Sequence, residues 1–355
     1  KFLTNYRFCP KCLKEDKIPY FKKEHRVVFS TFCKKHKCYL LDKCPKCQTL
    51  LDSNTFNHDA WIINKNSNED IKAEKSGRKK FGATFMTLNN PYFVQLNEGI
   101  KEVIEANGDK LISLDPQLDV NKQIAEVEDL IAQKVDGIFL NPTDWKAIKP
   151  ALEMAKKAGI PVYVVDAPVF NDDLVKTTIV SDNWNAGTLC ALHLTQTLGI
   201  TEGNIVVLEH PTAKSAIERT NGFLKEIAKY PNLKVIAKQS SEGQLEIAMS
   251  IMEDIIKMNT NITAIMAEND PTALGVVAAL ERLNKLKSVK AIYGVDGSED
   301  AIKLIKAEKL TATVAQYPKE IGKIAAESAY KDLSGEKIQK EIKVPVKLLT
   351  KDNIE

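Results

Sequence analysis

The chain has 355 residues, with 50 Lys and Arg against 47 Asp and Glu for a net charge of +3, and 44% of its residues are hydrophobic. That length exceeds what a single hydrophobic core serves, so two or three compact units are expected. No run approaches eighteen consecutive apolar residues, and the first thirty residues are too charged and cysteine-rich for a secretory signal, so neither a spanning helix nor an export segment is expected.

Charge and cysteine set the head apart. Residues 1–50 hold thirteen Lys and Arg against four Asp and Glu, a surplus of nine, which leaves the rest of the chain at −6. Six of the seven cysteines lie before residue 48, and the seventh is Cys190. Three close pairs stand out: Cys9 with Cys12, Cys33 with His36, and Cys44 with Cys47. Ligands two residues apart turn around one tetrahedral zinc, and two such pairs close a structural site. Cys9, Cys12, Cys33 and His36 make the first set. Cys44 and Cys47 then bind a second ion with Cys38 and His58, or replace the middle pair, while an oxidising compartment would favour disulfides instead.

With Arg7-Phe8 before the first knuckle, Pro19-Tyr20-Phe21 and Leu40-Leu41-Asp42, this arrangement resembles the zinc-finger part of TniQ-type transposition proteins over residues 6–52. The resemblance implies a zinc module, taken as residues 1–58, and contact between residues 1–50 and nucleic acid or a transposition partner. The same lysines also suit a merely solvated surface. Residues 59–80 form the linker: the stretch from 64 is polar and lacks apolar periodicity.

From residue 81, short Val- and Ile-rich runs alternate with longer segments of three- and four-residue apolar spacing, the pattern of βαβ units. Strands are predicted over 81–87, 110–115, 137–141, 161–166, 205–209, 233–237, 263–267, 291–295 and 312–315. So many suit two doubly wound α/β lobes better than one. Ligands of such sheets bind beyond the carboxyl ends of the strands. The polar and aromatic residues there are Asn90, Tyr92 and Phe93 after the first strand, Asp166 after the fourth, Asn269 and Asp270, Asp296, and Gln316. Asn and Asp in such places also serve as helix caps. Together with Arg219, however, they supply what a sugar needs: acceptors for hydroxyls, a forked donor and a flat apolar face.

Residues 81–350 resemble the ribose-binding branch of the type I periplasmic sugar-binding proteins, relatives of the effector domains of lactose-repressor-like regulators. The likeness rests on Asn89-Asn90-Pro91-Tyr92-Phe93, Asn141-Pro142-Thr143-Asp144, Ser181-Asp182-Asn183, Glu218-Arg219 with Gly222-Phe223, Asn269-Asp270, Asp296-Gly297 and Gln316-Tyr317-Pro318. It implies a pocket of Asn90, Tyr92, Phe93, Asp166, Arg219, Asn269, Asp296 and Gln316. It also implies a hinge crossed near 180–182, 316 and 345, with lobe 1 as residues 81–181 plus 317–345 and lobe 2 as 182–316 plus 346–355. The expected partners are a monosaccharide and an ABC transporter permease, the expected place the cell envelope, and the expected state a monomer.

Two departures bear on the ligand. Ala167 follows Asp166 where ribose binders have an arginine, and Gly243 stands nearest the place of an expected aromatic, so ribose itself is not the expected ligand. Trp184, Trp145 or Tyr92 are candidates for a replacement face. Asp166 and Asp296 could also form a glycosidase pair, but hydrogen bonding explains the same carboxylates and no nucleophile elbow or phosphate loop accompanies them, so no enzyme is expected. The alternative function is a cytosolic sugar-responsive regulator that binds DNA through its zinc module.

Overall fold

The computed structural model describes residues 32–33, 38–39, 78–258 and 261–354. The chain divides into two units, Lys1–Gly77 and Arg78–Glu355. In the first, β1 (Phe32–Cys33) and β2 (Cys38–Tyr39) pair antiparallel, which sets Cys33 opposite Cys38. Of the expected zinc ligands, Cys9, Cys12, His36, Cys44 and Cys47 lie outside the described residues, as does most of the expected linker.

The second unit is built on two six-stranded sheets. The first runs β13 (Glu341–Val344), β7 (Thr177–Ser181), β6 (Val162–Val165), β5 (Gly137–Leu140), β3 (Lys80–Thr84), β4 (Lys110–Leu114), with every neighbouring pair parallel. The second runs β14 (Lys347–Thr350), β12 (Ala312–Ala315), β11 (Ala291–Asp296), β10 (Ala264–Ala267), β8 (Glu202–Glu209), β9 (Asn232–Ser240), parallel except where β14 meets β12. Strands β5, β6, β10 and β12 are buried at every residue and almost wholly apolar, as a sheet covered on both faces requires. The edge strands β4 and β9 carry exposed polar residues, which discourages pairing with another chain.

Helices α1 (Pro91–Ala106) and α9 (Pro318–Leu333) cover one face of the first sheet, α2 (Val120–Ala132) and α3 (Lys149–Lys157) the other. On the second sheet α4 (Asn183–Leu192) and α5 (Lys214–Ile227) lie opposite α6 (Leu245–Met258), α7 (Asp270–Arg282) and α8 (Glu299–Lys306). Phe81, Phe139 and Tyr163 stack in sequence across the first sheet, with ring centroids 5.8 and 5.7 Å apart, and the Tyr163 hydroxyl escapes desolvation by donating to Asp332 Oδ2 at 2.9 Å. Each such fully buried ring stabilises the lobe by about 1.5–3 kcal/mol.

The nine predicted strands fall on β3 to β6 and β8 to β12. Three others escape sequence reasoning. β7 opens on two threonines, and β13 and β14 mix Lys and Glu or Thr with few apolar residues, so none shows a clear periodic signal. They matter because the chain changes sheets beside them: between Ser181 and Asp182, between Ala315 and Pro318, and between Val344 and Lys347. Asp182 N donates to Val344 O at 2.9 Å and so laces two of these crossings together.

Candidate functional site

In each sheet the strand order reverses beside its first strand: β4 and β5 flank β3, and β9 and β10 flank β8. The crevices beyond the carboxyl ends of these strands are where open α/β sheets bind ligands, and here the two open onto one cleft. All eight expected site residues line it: Asn90, Tyr92, Phe93, Asp166, Arg219, Asn269, Asp296 and Gln316. The walls stand close together, with about 30 Å³ of free space between them. The lobes touch around it. Trp145 N donates to Thr212 O at 3.1 Å, and Ala213 and Ala216 share an apolar cluster with Met86 and Phe93.

Asn90 caps α1, its side chain accepting from Tyr92 N at 2.9 Å, with Pro91 in the first turn. Tyr92 and Phe93 meet edge to face, 5.2 Å between centroids, and form the aromatic wall. Asn269 likewise caps α7 through Thr272 N while its Nδ2 donates to Gly243 O at 3.1 Å. At both positions capping and pocket-lining are one job: the cap fixes the side chain that faces the cleft.

Asp166 ends β6 with φ at 65°, a left-handed conformation that an aspartate tolerates better than most residues. Its Oδ2 accepts from Asn141 Nδ2 at 3.1 Å, while its buried Oδ1 has no hydrogen-bond partner among the described residues. Asp296, at φ 146°, accepts from Gln316 Nε2 at 2.7 Å. Arg219 is 4% exposed and reaches the cleft from α5. It donates through Nε to Asn183 Oδ1 at 2.8 Å, through Nη1 to Glu268 O at 3.2 Å and through Nη2 to Gln316 Oε1 at 3.0 Å. Two of the five N–H groups of its guanidinium remain. Asp270 stands behind the wall, its carboxylate satisfied by Thr313 Oγ1 and Ser298 N.

Burial pushes the carboxyls of Asp166 and Asp296 above their ordinary range; for Asp296 the Asp270 charge adds to it, and for both Arg219 opposes it. Carboxylates so placed gain from ligand hydroxyls that donate to them.

Sequence reasoning missed several residues. Asn141 is fully buried and orients both Asp166 and, through its Oδ1, Met86 N; it was legible only as part of a motif. His210 and Glu268 also line the cleft. Neither Trp145 nor Trp184 does. Trp145 packs on Phe170 at 5.6 Å between centroids and Trp184 is 45% exposed, so among the described residues the aromatic wall is Tyr92 and Phe93.

Fold and cleft together define a carbohydrate-binding protein of two α/β lobes, whose cleft is lined by polar groups beside an aromatic wall. Residues 81–337 match the family model of the periplasmic binding protein domain, and the chain belongs to that family. Residues 2–40 match the TniQ model. The ribose import binding protein RbsB of Bacillus subtilis (strain 168) is 40% identical over 283 residues, covering 79% of this chain and 90% of that protein. An ABC transporter solute-binding protein from Actinobacillus succinogenes 130z, solved with bound D-allose, is 31% identical with a TM-score of 0.71, over 78% of this chain and 98% of that one. One from Bacillus halodurans C-125 with bound myo-inositol is 28% identical with a TM-score of 0.73, over 78% and 96%. All three are named as binding proteins, in keeping with the expectation that this chain is no enzyme.

Proposed function

We propose that residues 78–354 bind a monosaccharide in the cleft, close over it, and present it to the membrane permease of an ABC-type importer at the cell envelope. Tyr92 and Phe93 cover the ring face. Asp166 and Asp296 accept from hydroxyls, and Asn90, Arg219, Asn269 and Gln316 complete the polar rim. The carrying observation is the convergence of eight residues on one cleft, seven from strand ends or the segments that follow them in the two sheets and Arg219 from α5. Alternation between open and closed lobes follows from the three crossing segments. The regulator reading is not favoured, because the matched relatives are named for import or as solute-binding proteins.

Calorimetric titration of the whole chain with pentoses, hexoses and polyols tests this. Saturable micromolar or tighter binding of one of them, lost in Asp296→Ala, supports the reading; heat absent for every sugar sinks it.

For the head, we propose a structural zinc bound by Cys9, Cys12, Cys33 and His36, with Cys44 and Cys47 binding a second ion or replacing the middle pair. The donor set fits: thiolates and imidazole are the ligands zinc prefers in closed sites. Elemental analysis of purified protein should find at least one zinc per chain, reduced in Cys9→Ser; a zinc-free protein purified without chelators overturns it.

A further inference from the structure

Arg219 enters the cleft on α5, and that helix begins against a local rule. Its N-cap is Ala213, which offers no side-chain acceptor, no acidic residue stands in its first turn, and its first residue is Lys214. The positive end of a helix dipole disfavours a cation there. No carboxylate relieves it at ion-pair distance among the described residues. What the ammonium meets instead is a ring: Lys214 Nζ lies 5.1 Å from the Trp145 centroid, close enough for attraction to an indole face.

Trp145 belongs to the other lobe, in the segment after β5. Phe170 of that same lobe holds it, meeting the indole edge to face at 5.6 Å and donating from its backbone N to Trp145 O at 2.8 Å, although Phe170 is itself 62% exposed. Lys146 Nζ, again from that lobe, is 4.8 Å from the indole centroid. Across the gap Trp145 N donates to Thr212 O at 3.1 Å, two residues before Lys214. Trp145, Thr212 and Lys214 are absent from the lining of the cleft. Their contact exists only while the lobes are together, and it holds the helix that carries Arg219 from outside the cleft.

We infer that Trp145 and Lys214 form a latch between the lobes that sets how tightly ligand is held without touching it. The inference rests on the sugar-binding reading and adds to it two affinity-determining residues. A contact made only in the closed form strengthens binding through the closing equilibrium, to the same degree for every ligand.

Calorimetry and stopped-flow mixing of the whole chain, with the tightest-binding member of a panel of pentoses, hexoses and polyols, test this. Lys214→Met should weaken binding about twofold to fivefold, through faster dissociation at an unchanged association rate, and leave the ranking of the sugars as it was. Its thermal midpoint should not fall, since the substitution also removes the conflict with the helix dipole. Lys214→Arg should restore the affinity, and Lys146→Met should bind like the parent, because that ammonium stays beside the ring whether the lobes are together or apart. In a Trp145→Leu background, Lys214→Met should have no further effect. Parent affinity in Lys214→Met, an equal loss in Lys146→Met, or a loss that persists in the Trp145→Leu background overturns the latch and leaves sugar binding standing. Failure of the unaltered protein to bind any member of the panel overturns both.

Discussion

Arg219 donates from Nη2 to Oε1 of Gln316 at 3.0 Å, and Gln316 follows β12, where the chain leaves the second sheet for the first. Gln316 passes the connection on to Asp296 through Nε2. A ligand that engages any one of the three acts on the crossing segment as well as on the cleft wall, which couples occupancy to lobe position.

Arg219→Ala removes three hydrogen bonds and leaves the buried carboxylates without a compensating cation. Losing a charged hydrogen bond costs about 1.5–3 kcal/mol. Ligand affinity should fall at least about a hundredfold by calorimetry, and the thermal midpoint should drop as well. An unchanged midpoint with unchanged affinity would show that the guanidinium only fills space.

Trp145 should report closure. Its backbone N–H reaches Thr212 O and Lys214 Nζ lies 5.1 Å from its ring centroid, both partners coming from the segment that follows β8. Ligand-induced change in tryptophan fluorescence should vanish in Trp145→Phe and persist in Trp184→Phe, whose indole is exposed outside the cleft. Persistence of the signal in the Trp145 variant would mean that the lobes do not move against each other there.

Glu268 makes stability depend on pH. Burial pushes its carboxyl up to about 7 from an ordinary 4.5, with Arg219 opposing. The folded pKa is the higher one, so the group's contribution is full below about pH 4.5 and lost as pH rises through about 7. Glu268→Gln should therefore gain on the parent protein between about pH 5 and 8, by on the order of 2–3 kcal/mol. His210 shifts stability in the opposite sense and is common to both proteins. Urea denaturation at several pH values measures the difference; parallel profiles would contradict it.

Gly187 and Gly222 let α4 and α5 approach to backbone contact. A Cβ on Gly187 would overlap the Arg219 carbonyl and lie 2.8 Å from Phe223 N, and one on Gly222 would overlap the Trp184 carbonyl. Gly187→Ala should destabilise by about 1–3 kcal/mol in denaturant titration, as overpacking does. It should also weaken ligand binding, because the displaced helix holds Arg219. A variant as stable as the parent would show that the helices can separate freely.

Much of this molecule was readable before any coordinates. Buried parallel strands need unbroken apolar runs, so GIFL, VYVV and AIMA announce themselves, and strand-end rules then pick out Asn90, Asp166, Asn269, Asp296 and Gln316 without knowledge of their neighbours. The edge strands β13 and β14 were not readable, since exposure frees their side chains from any pattern. Nor were Asn141, His210 and Glu268. A buried Asn is visible as functional only when the carboxylate it orients is seen 3.1 Å away, and an ordinary-looking Glu becomes exceptional only when folding buries it beside Arg219. Local pattern determined which elements form and which residues end them; the convergence of charge in the cleft was decided by tertiary structure alone, because it depends on distances between residues far apart in the chain.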